Sequence, residues 1–412
     1  MMDRRVVITG LGVIACNGIG KDAFWDALRS GRTGIDRITS FDPSPFPTQM
    51  AGEVHGFDPE QYMDKKKIKR MDRTSQFAVA AAKMAIQDSG IELSNGYKES
   101  AGVLIGTAMA GQAYITEQHD TFRDKGPMKI NPNTALVSFP DACCSQISIE
   151  LGIQGPSFQI ATACSSALDA IGVAFQGIKR GWMDVAVVGG AEATIFPEAV
   201  AAFSITRAMS RRNEEPKKAC RPFTIDRDGF VLGEGSGILI IEDYERAKSR
   251  GAHMYAEILS HGMTTDAYHM TAPEPSGAQA ARAMRIAIDQ AGIKPEEVEY
   301  INAHGTSTPL NDANETRVIK EVFGSHAKNI PISATKSMVG HLIGAAGSVE
   351  LIAMLLAMEN SEMPPTINYD NPDPECDLDY VPNIARKKKI RTAMKNSFGF
   401  GGKNSILIVR KV

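Results

Sequence analysis

Phe158-Gln159-Ile160-Ala161-Thr162-Ala163-Cys164-Ser165-Ser166-Ala167-Leu168-Asp169-Ala170 decides the fold class. An apolar, partly β-branched run gives way to small residues, then to apolar residues at helical spacing. The segment reads as strand, sharp turn, helix, with a thiol at the turn. Working outward, similar strand-like runs recur at Arg5-Val6-Val7-Ile8-Thr9, at 101–106 and at 185–190, each followed by or ending in glycine. Between them, Thr74 to Ser89 carries apolar and small residues at helical spacing. This alternation predicts an α/β protein with layered, largely buried sheets.

The second half echoes the first. Ile330-Pro331-Ile332-Ser333-Ala334-Thr335-Lys336-Ser337 is similar to the stretch from Phe158 to Ser165, and Lys336 falls where Cys164 stands. Val298 to Gly305 again reads as a strand ending in a polar turn. A duplicated core is expected, with halves 1–252 and 253–412 and strand ends from both meeting at one site. The polar, Pro-rich stretch from Met363 to Pro382 reads as a long loop before the last strands.

Composition narrows the function. The chain has 412 residues, enough for a large core, and its net charge of −3 argues against nucleic-acid binding. No apolar run reads as long enough to span a bilayer, and the start of the chain lacks the pattern of a signal peptide. A cytoplasmic location is expected. The six cysteines show neither C-x-x-C pairs nor zinc spacing, so reduced thiols and no metal are expected. Gly10-Leu11-Gly12-Val13-Ile14-Ala15 follows a strand and imitates a dinucleotide fingerprint. The helix pattern begins only near Lys21, too late to receive a pyrophosphate, so the glycines read as a tight turn.

A cysteine at a helix N-terminus meets unpaired N–H groups and the positive end of the helix dipole, which favour thiolate. The same N–H groups can hold an oxyanion, so a thioester intermediate follows. His304, in Asn302-Ala303-His304-Gly305-Thr306-Ser307-Thr308, and His341, in Lys336-Ser337-Met338-Val339-Gly340-His341, lie in glycine-containing turns after strand-like runs. As neutral N–H donors, the two would together stabilise an enolate such as decarboxylation of a malonyl thioester generates. Lys336 would supply a cation, with Glu350 as its partner. His269 lies in a polar loop expected to border the site, while His55, His119, His253, His261 and His326 read as structural or surface residues.

These motifs carry a resemblance. Thr162-Ala163-Cys164-Ser165-Ser166, Asn302 to Thr308, Lys336 to His341, Arg227 to Gly235 and Asn396-Ser397-Phe398-Gly399-Phe400-Gly401-Gly402 occur in the order found in β-ketoacyl-[acyl-carrier-protein] synthases of the KAS I/II type. The chain resembles that family over nearly its whole length. The resemblance implies a thiolase-like fold, duplicated halves forming a five-layered αβαβα sandwich, and a homodimer. It implies Cys164 as acyl acceptor and His304 with His341 as the decarboxylation and condensation pair. Thr306 and Thr308 would meet a phosphopantetheine arm, Phe400 would gate the acyl pocket, and Met109 would line it. No cofactor is implied, because the arm arrives on the acyl carrier protein.

Cys-His-His separates the chain from relatives that resemble Cys-His-Asn, and from thiolases, which use a second late cysteine. Met109, the Ser138 to Ser145 segment and Lys403 depart from the common fatty-acid pattern and leave the acyl chain open. Lys65, Lys66, Lys69 and Arg70, with Arg207, are candidate docking residues for an acidic carrier protein. Fatty acid elongation is the expected role. The alternatives are a type II polyketide or polyene ketosynthase, a non-condensing heterodimer partner (chain-length factor) and a thiolase.

Overall fold

The main strands, in chain order, are β1 (Val6–Ala15), β2 (Ala101–Gly106), β3 (Ser157–Ile160), β4 (Val185–Glu192), β5 (Gly235–Asp243), β6 (Ala256–Thr265), β7 (Tyr300–Asn302), β8 (Ile332–Ser333), β9 (Thr392–Gly399) and β10 (Lys403–Arg410). The structure, a computed structural model, describes residues 4–93 and 97–412. The strands run β3-β2-β4-β5-β1 in the first half and β8-β7-β9-β10-β6 in the second. The wiring is the same in both. The third strand of each half lies at the edge, parallel to the second, and the second is parallel to the fourth. The fourth is antiparallel to the fifth, and the fifth to the first. β1 and β6 join the two sheets over Val6–Ile8. This repeated topology is a duplication.

The principal helices are α1 (Arg73–Ser89), α2 (Ala142–Leu151), α3 (Ser166–Lys179), α4 (Ala278–Ala291), α5 (Pro309–Phe323) and α6 (Ala346–Asn360). α1 and α2 cover the outer face of the first sheet, and α4 backed by α5 covers that of the second. α3 and α6 lie between the sheets and touch each other, which makes five layers, αβαβα. α4 shows the pattern an outer helix needs: Ala280, Ala283, Met284, Ala287 and Ile288 are buried at helical spacing while Arg282 and Arg285 are exposed. α6 is buried from Ala346 to Met358, as a helix enclosed on all sides must be. The run Ile343–Asn360 is in fact long and apolar enough to cross a membrane by composition, contrary to expectation, but 89% of it is buried inside the fold.

Two other expectations are corrected. Gly10 and Gly12 form no turn but continue β1, and a Cβ at Gly12 would stand 1.9 Å from the Ala81 carbonyl oxygen. They are glycines because α1 packs its backbone against the strand. Nor is Lys336 the counterpart of Cys164. Cys164 sits in a tight 3₁₀ turn, Ala163–Ser165, that opens α3, and its first residue has φ 53°. The matching turn before α6 is Ile343–Ala345, with Ile343 at φ 44°, so the counterpart is Gly344. The second half inserts a one-turn helix, Lys336–Val339, between β8 and that turn. This insertion brings Lys336 and His341 to the site.

Candidate active site

The strand–turn–helix arrangement puts Cys164 at the mouth of α3, 4% exposed, in an apolar pocket with Phe230, Ile343 and Phe400. The left-handed backbone at Ala163 is a conformation a non-glycine residue adopts at a cost of about 1–3 kcal/mol, and it turns the thiol out of the helix. β9 closes the other side. A Cβ on Gly399 would lie 2.9 Å from the Thr162 carbonyl oxygen and 3.2 Å from the Cys164 nitrogen, so only glycine allows this approach. The approach leaves the backbone N–H groups of Phe400 and of Cys164 itself facing the sulfur. Two such donors at one reacting atom are the elements of an oxyanion hole. Burial nevertheless outweighs them and Lys336, and pushes the Cys164 thiol up to about 11. Burial thus works against the thiolate that the helix terminus favours.

His304 follows β7, and His341 follows the inserted helix. Their rings meet edge to face with centroids 5.4 Å apart, both side chains are buried, and both line the cavity of about 330 Å³ that holds Cys164. His341 Nδ1 accepts the Ile343 N–H at 3.2 Å. His304 Nδ1 lies 3.3 Å from Lys336 Nζ, whose ammonium has only protons to offer. In each ring Nε2 therefore carries the hydrogen. Burial, then Lys336, drives both pKa values well below the usual histidine range. Both rings are neutral N–H donors near neutral pH.

A buried ionic network holds His304. Lys336 Nζ donates to the His304 carbonyl at 2.7 Å and to Glu350 Oε1 at 2.6 Å, so the expected pair forms. Glu315, on α5, accepts the backbone N–H groups of His304 and Gly305, each at 2.9 Å. Glu315 and Lys395 escaped the sequence reading, as did Glu192. For Glu192 and Lys395 the signal was a charged residue inside an otherwise apolar or small-residue buried run; Glu315 lies among the polar residues Asp312, Asn314 and Arg317 and carried no such signal. Glu192 ends β4 and accepts from Thr107 Oγ1 and from the N–H groups of Ala108, Met109 and Gly344.

Other expected residues are placed as follows. Thr306 and Thr308 line the cavity, with their hydroxyls 2.8 Å apart. Phe400 and Lys403 line it too, and Arg207 stands at its edge, exposed. Gly401 N–H donates to the Met270 carbonyl and Asp266 N–H to the Gly402 carbonyl, stitching the Phe400 loop to the Asp266 loop. His269 does not line the cavity. Its Nδ1 caps the backbone of Thr271 and Ala272, which do. Met109 also lies outside the lining, and its backbone N–H donates to Glu192 at 3.2 Å. Lys65, Lys66, Lys69 and Arg70 are exposed around the short helix Lys65–Ile68.

A thiol, two neutral histidine donors and paired backbone N–H groups meet in one cavity, an arrangement suited to thioester chemistry. The family models agree: residues 3–247 match the Beta-ketoacyl synthase N-terminal domain and 255–370 the C-terminal domain. The chain belongs to the β-ketoacyl synthase family and is a condensing enzyme of the acyltransferase type. It is 46% identical over 409 residues, 99% of each chain, to 3-oxoacyl-[acyl-carrier-protein] synthase 2 of Staphylococcus aureus (strain N315). Among solved structures, it is similar to a type II polyketide ketosynthase in complex with its acyl carrier protein and bound to a hexaketide, with TM-score 0.92, 38% identity and all of both chains covered. It is also similar to the ishigamide ketosynthase/chain length factor, with TM-score 0.93, 36% identity and the same coverage.

Proposed function

We propose that the protein elongates acyl chains in fatty acid synthesis by decarboxylative condensation, with Cys164 as acyl carrier and His304 and His341 as the enolate-stabilising pair. The observation that carries this reading is what meets the two Nδ1 atoms, Lys336 Nζ at one ring and the Ile343 N–H at the other. Each keeps Nδ1 as an acceptor, so each aims an Nε2–H donor rather than a base. In the first step the Cys164 sulfur attacks an acyl thioester, and the oxyanion faces the N–H groups of Cys164 and Phe400. The carrier thiol leaves with the proton of Cys164. A malonyl thioester then enters; its carbon–carboxylate bond breaks, carbon dioxide departs, and the electron pair becomes an enolate whose oxygen accepts from both histidines. The enolate carbon attacks the acyl-Cys164 carbonyl, forming the carbon–carbon bond and expelling the sulfur, which takes a proton.

Substrates of this kind arrive on an acyl carrier protein, and this sets the rest of the proposal. Thr306 and Thr308 receive the phosphopantetheine arm, Arg207 with Lys65, Lys66, Lys69 and Arg70 greets the acidic carrier, and no further cofactor takes part. Phe400 gates the pocket on its loop. Halves 1–252 and 253–412 divide the labour between nucleophile and histidines. The edge of β3 is unpaired on one side among the described residues, α2, packed on it, carries exposed Ile149, and this edge suits a second copy as homodimer partner. Six free thiols fit a reducing cytoplasm. A second reading is a type II polyketide ketosynthase, alone or with a chain-length-factor partner, and likeness to two solved ketosynthases of that kind favours it.

Intact-protein mass spectrometry with a panel of acyl-carrier thioesters, then malonyl carrier, tests the reading. An acyl adduct absent from Cys164→Ala, followed by a product two carbons longer, is expected, and the best-loaded chain chooses between the two pathways. No adduct from any donor overturns the reading of a self-sufficient enzyme.

A further inference from the structure

Lys395 is fully buried in β9, a strand whose other residues from Thr392 to Ser397 are small, apolar or amide-bearing. Its ammonium meets Glu350 Oε2 at 2.6 Å and donates to the carbonyls of Asn396 at 2.6 Å and Ala303 at 3.3 Å. Glu350 thus stands between two lysines, Lys336 on one oxygen and Lys395 on the other. Packing alone does not call for the second one. A buried ammonium carries a desolvation cost that an apolar side chain of similar length would avoid.

The placement gives Lys395 two roles at once. Its bond to the Ala303 carbonyl fixes the peptide immediately before His304. Three charged side chains then hold the His304 turn from separate elements: Glu315 from α5, Lys336 from the inserted helix and Lys395 from β9. Its charge also completes a balance. The groups facing it are Glu350 from α6, Glu315 from α5 and Lys336 from the inserted helix. With Lys395 protonated, two cations offset two carboxylates; without its proton the cluster is left with one excess negative charge beside both histidines. Its field lowers the proton affinity of both rings.

We propose that Lys395 is a positioning residue for the decarboxylation half-reaction: it anchors the His304 turn and keeps the surroundings of both histidines from turning negative as the enolate forms. The inference rests on the proposed condensing activity. It assigns Lys395 to one half-reaction only, because its contacts lead to the histidines and not to the thiol. Burial, partly offset by Glu350, brings the ammonium down to about 8, so its charge is lost in an accessible range. Decarboxylation should therefore fall as pH rises through about 8.

The test separates the half-reactions. Acyl transfer to Cys164 is followed by mass spectrometry in the native protein and in Lys395→Met. Conversion of malonyl carrier to acetyl carrier and carbon dioxide, with the enolate carbon protonated by water, is followed in Cys164→Ala with and without Lys395→Met, so that thiol ionisation plays no part. Lys395→Met should acylate at close to the native rate but decarboxylate about tenfold to a hundredfold more slowly, with no fall near pH 8. Lys395→Arg, if accommodated, should restore part of the rate and move the alkaline fall upward. Equal decarboxylation rates and profiles with and without Lys395→Met overturn the assignment while leaving the condensing reading intact. No decarboxylation by the Lys395-containing protein overturns both. Should Lys395→Met fail to fold, the profile of Cys164→Ala decides: rates unchanged across pH 8 reject the proposal.

Discussion

Cys164 stands where two opposed influences meet, and which one wins sets its chemistry. The turn at Ala163 aims the sulfur at the N–H groups of Phe400 and Cys164, and Lys336 adds a positive field. Against them, the side chain is almost wholly removed from water, and desolvation penalises the charged form first. With the thiol at about 11, its alkylation by iodoacetamide should keep rising with pH well beyond the range of an ordinary cysteine, about 8.5. Alkylation rates from pH 7 to 11, read by intact mass against Cys164→Ala, check this. A rate already level by pH 8 would mean that the helix terminus and N–H groups outweigh burial. The expected outcome implies that the enzyme does not rest on a reactive thiolate. Deprotonation is then coupled to arrival of the acyl thioester, whose leaving thiol takes up the proton.

At the scale of elements, what was legible in the sequence was whatever depends on local pattern. The strand–turn–helix around Cys164, the helix near Thr74 and the turns carrying His304 and His341 all follow from spacing and small residues. What escaped depends on contacts between elements. Glu315, Glu192 and Lys395 acquire meaning only when α5, β4 and β9 are packed against the histidine turns, and sequence distance hides this. The β1 glycines failed for the same reason: their function is the close approach of α1, which no local turn rule contains. That explanation is testable. Gly12→Ala puts a methyl group 1.9 Å from the Ala81 carbonyl oxygen, so strand and helix must part. Urea denaturation should show a loss of about 3 kcal/mol, at the upper end for overpacking a core. An unchanged midpoint would show that α1 yields freely and that the glycines serve some other end.

Across the whole molecule, the site exists because two copies of one topology are fused face to face. The first half brings the thiol, the second the histidines, and Glu192 is one of the polar groups that bridge them. Its carboxylate accepts from Thr107, Ala108 and Met109 after β2, and from Gly344 in the turn before α6. Burial outweighs those four donors and raises Glu192 from the usual 4.5 to about 7. The sign follows from linkage. Between these two values the folded protein holds a proton that the unfolded chain has released, so stability falls as pH rises through this window and is level above it. Buried His304 and His341, with depressed pKa values, act in the opposite sense, since they resist protonation as pH falls through the ordinary histidine range. The net curve is therefore a poor measure, and a difference is needed. Glu192→Gln cannot ionise, so its stability relative to the native protein should improve by about 2.5 kcal/mol between pH 5 and pH 8, whatever constant cost the lost hydrogen bonds impose. Urea titrations of both proteins at each pH give that difference directly. A difference that stays flat across the interval would mean that the two halves are joined through an already ionised Glu192, held by its four donors in spite of burial.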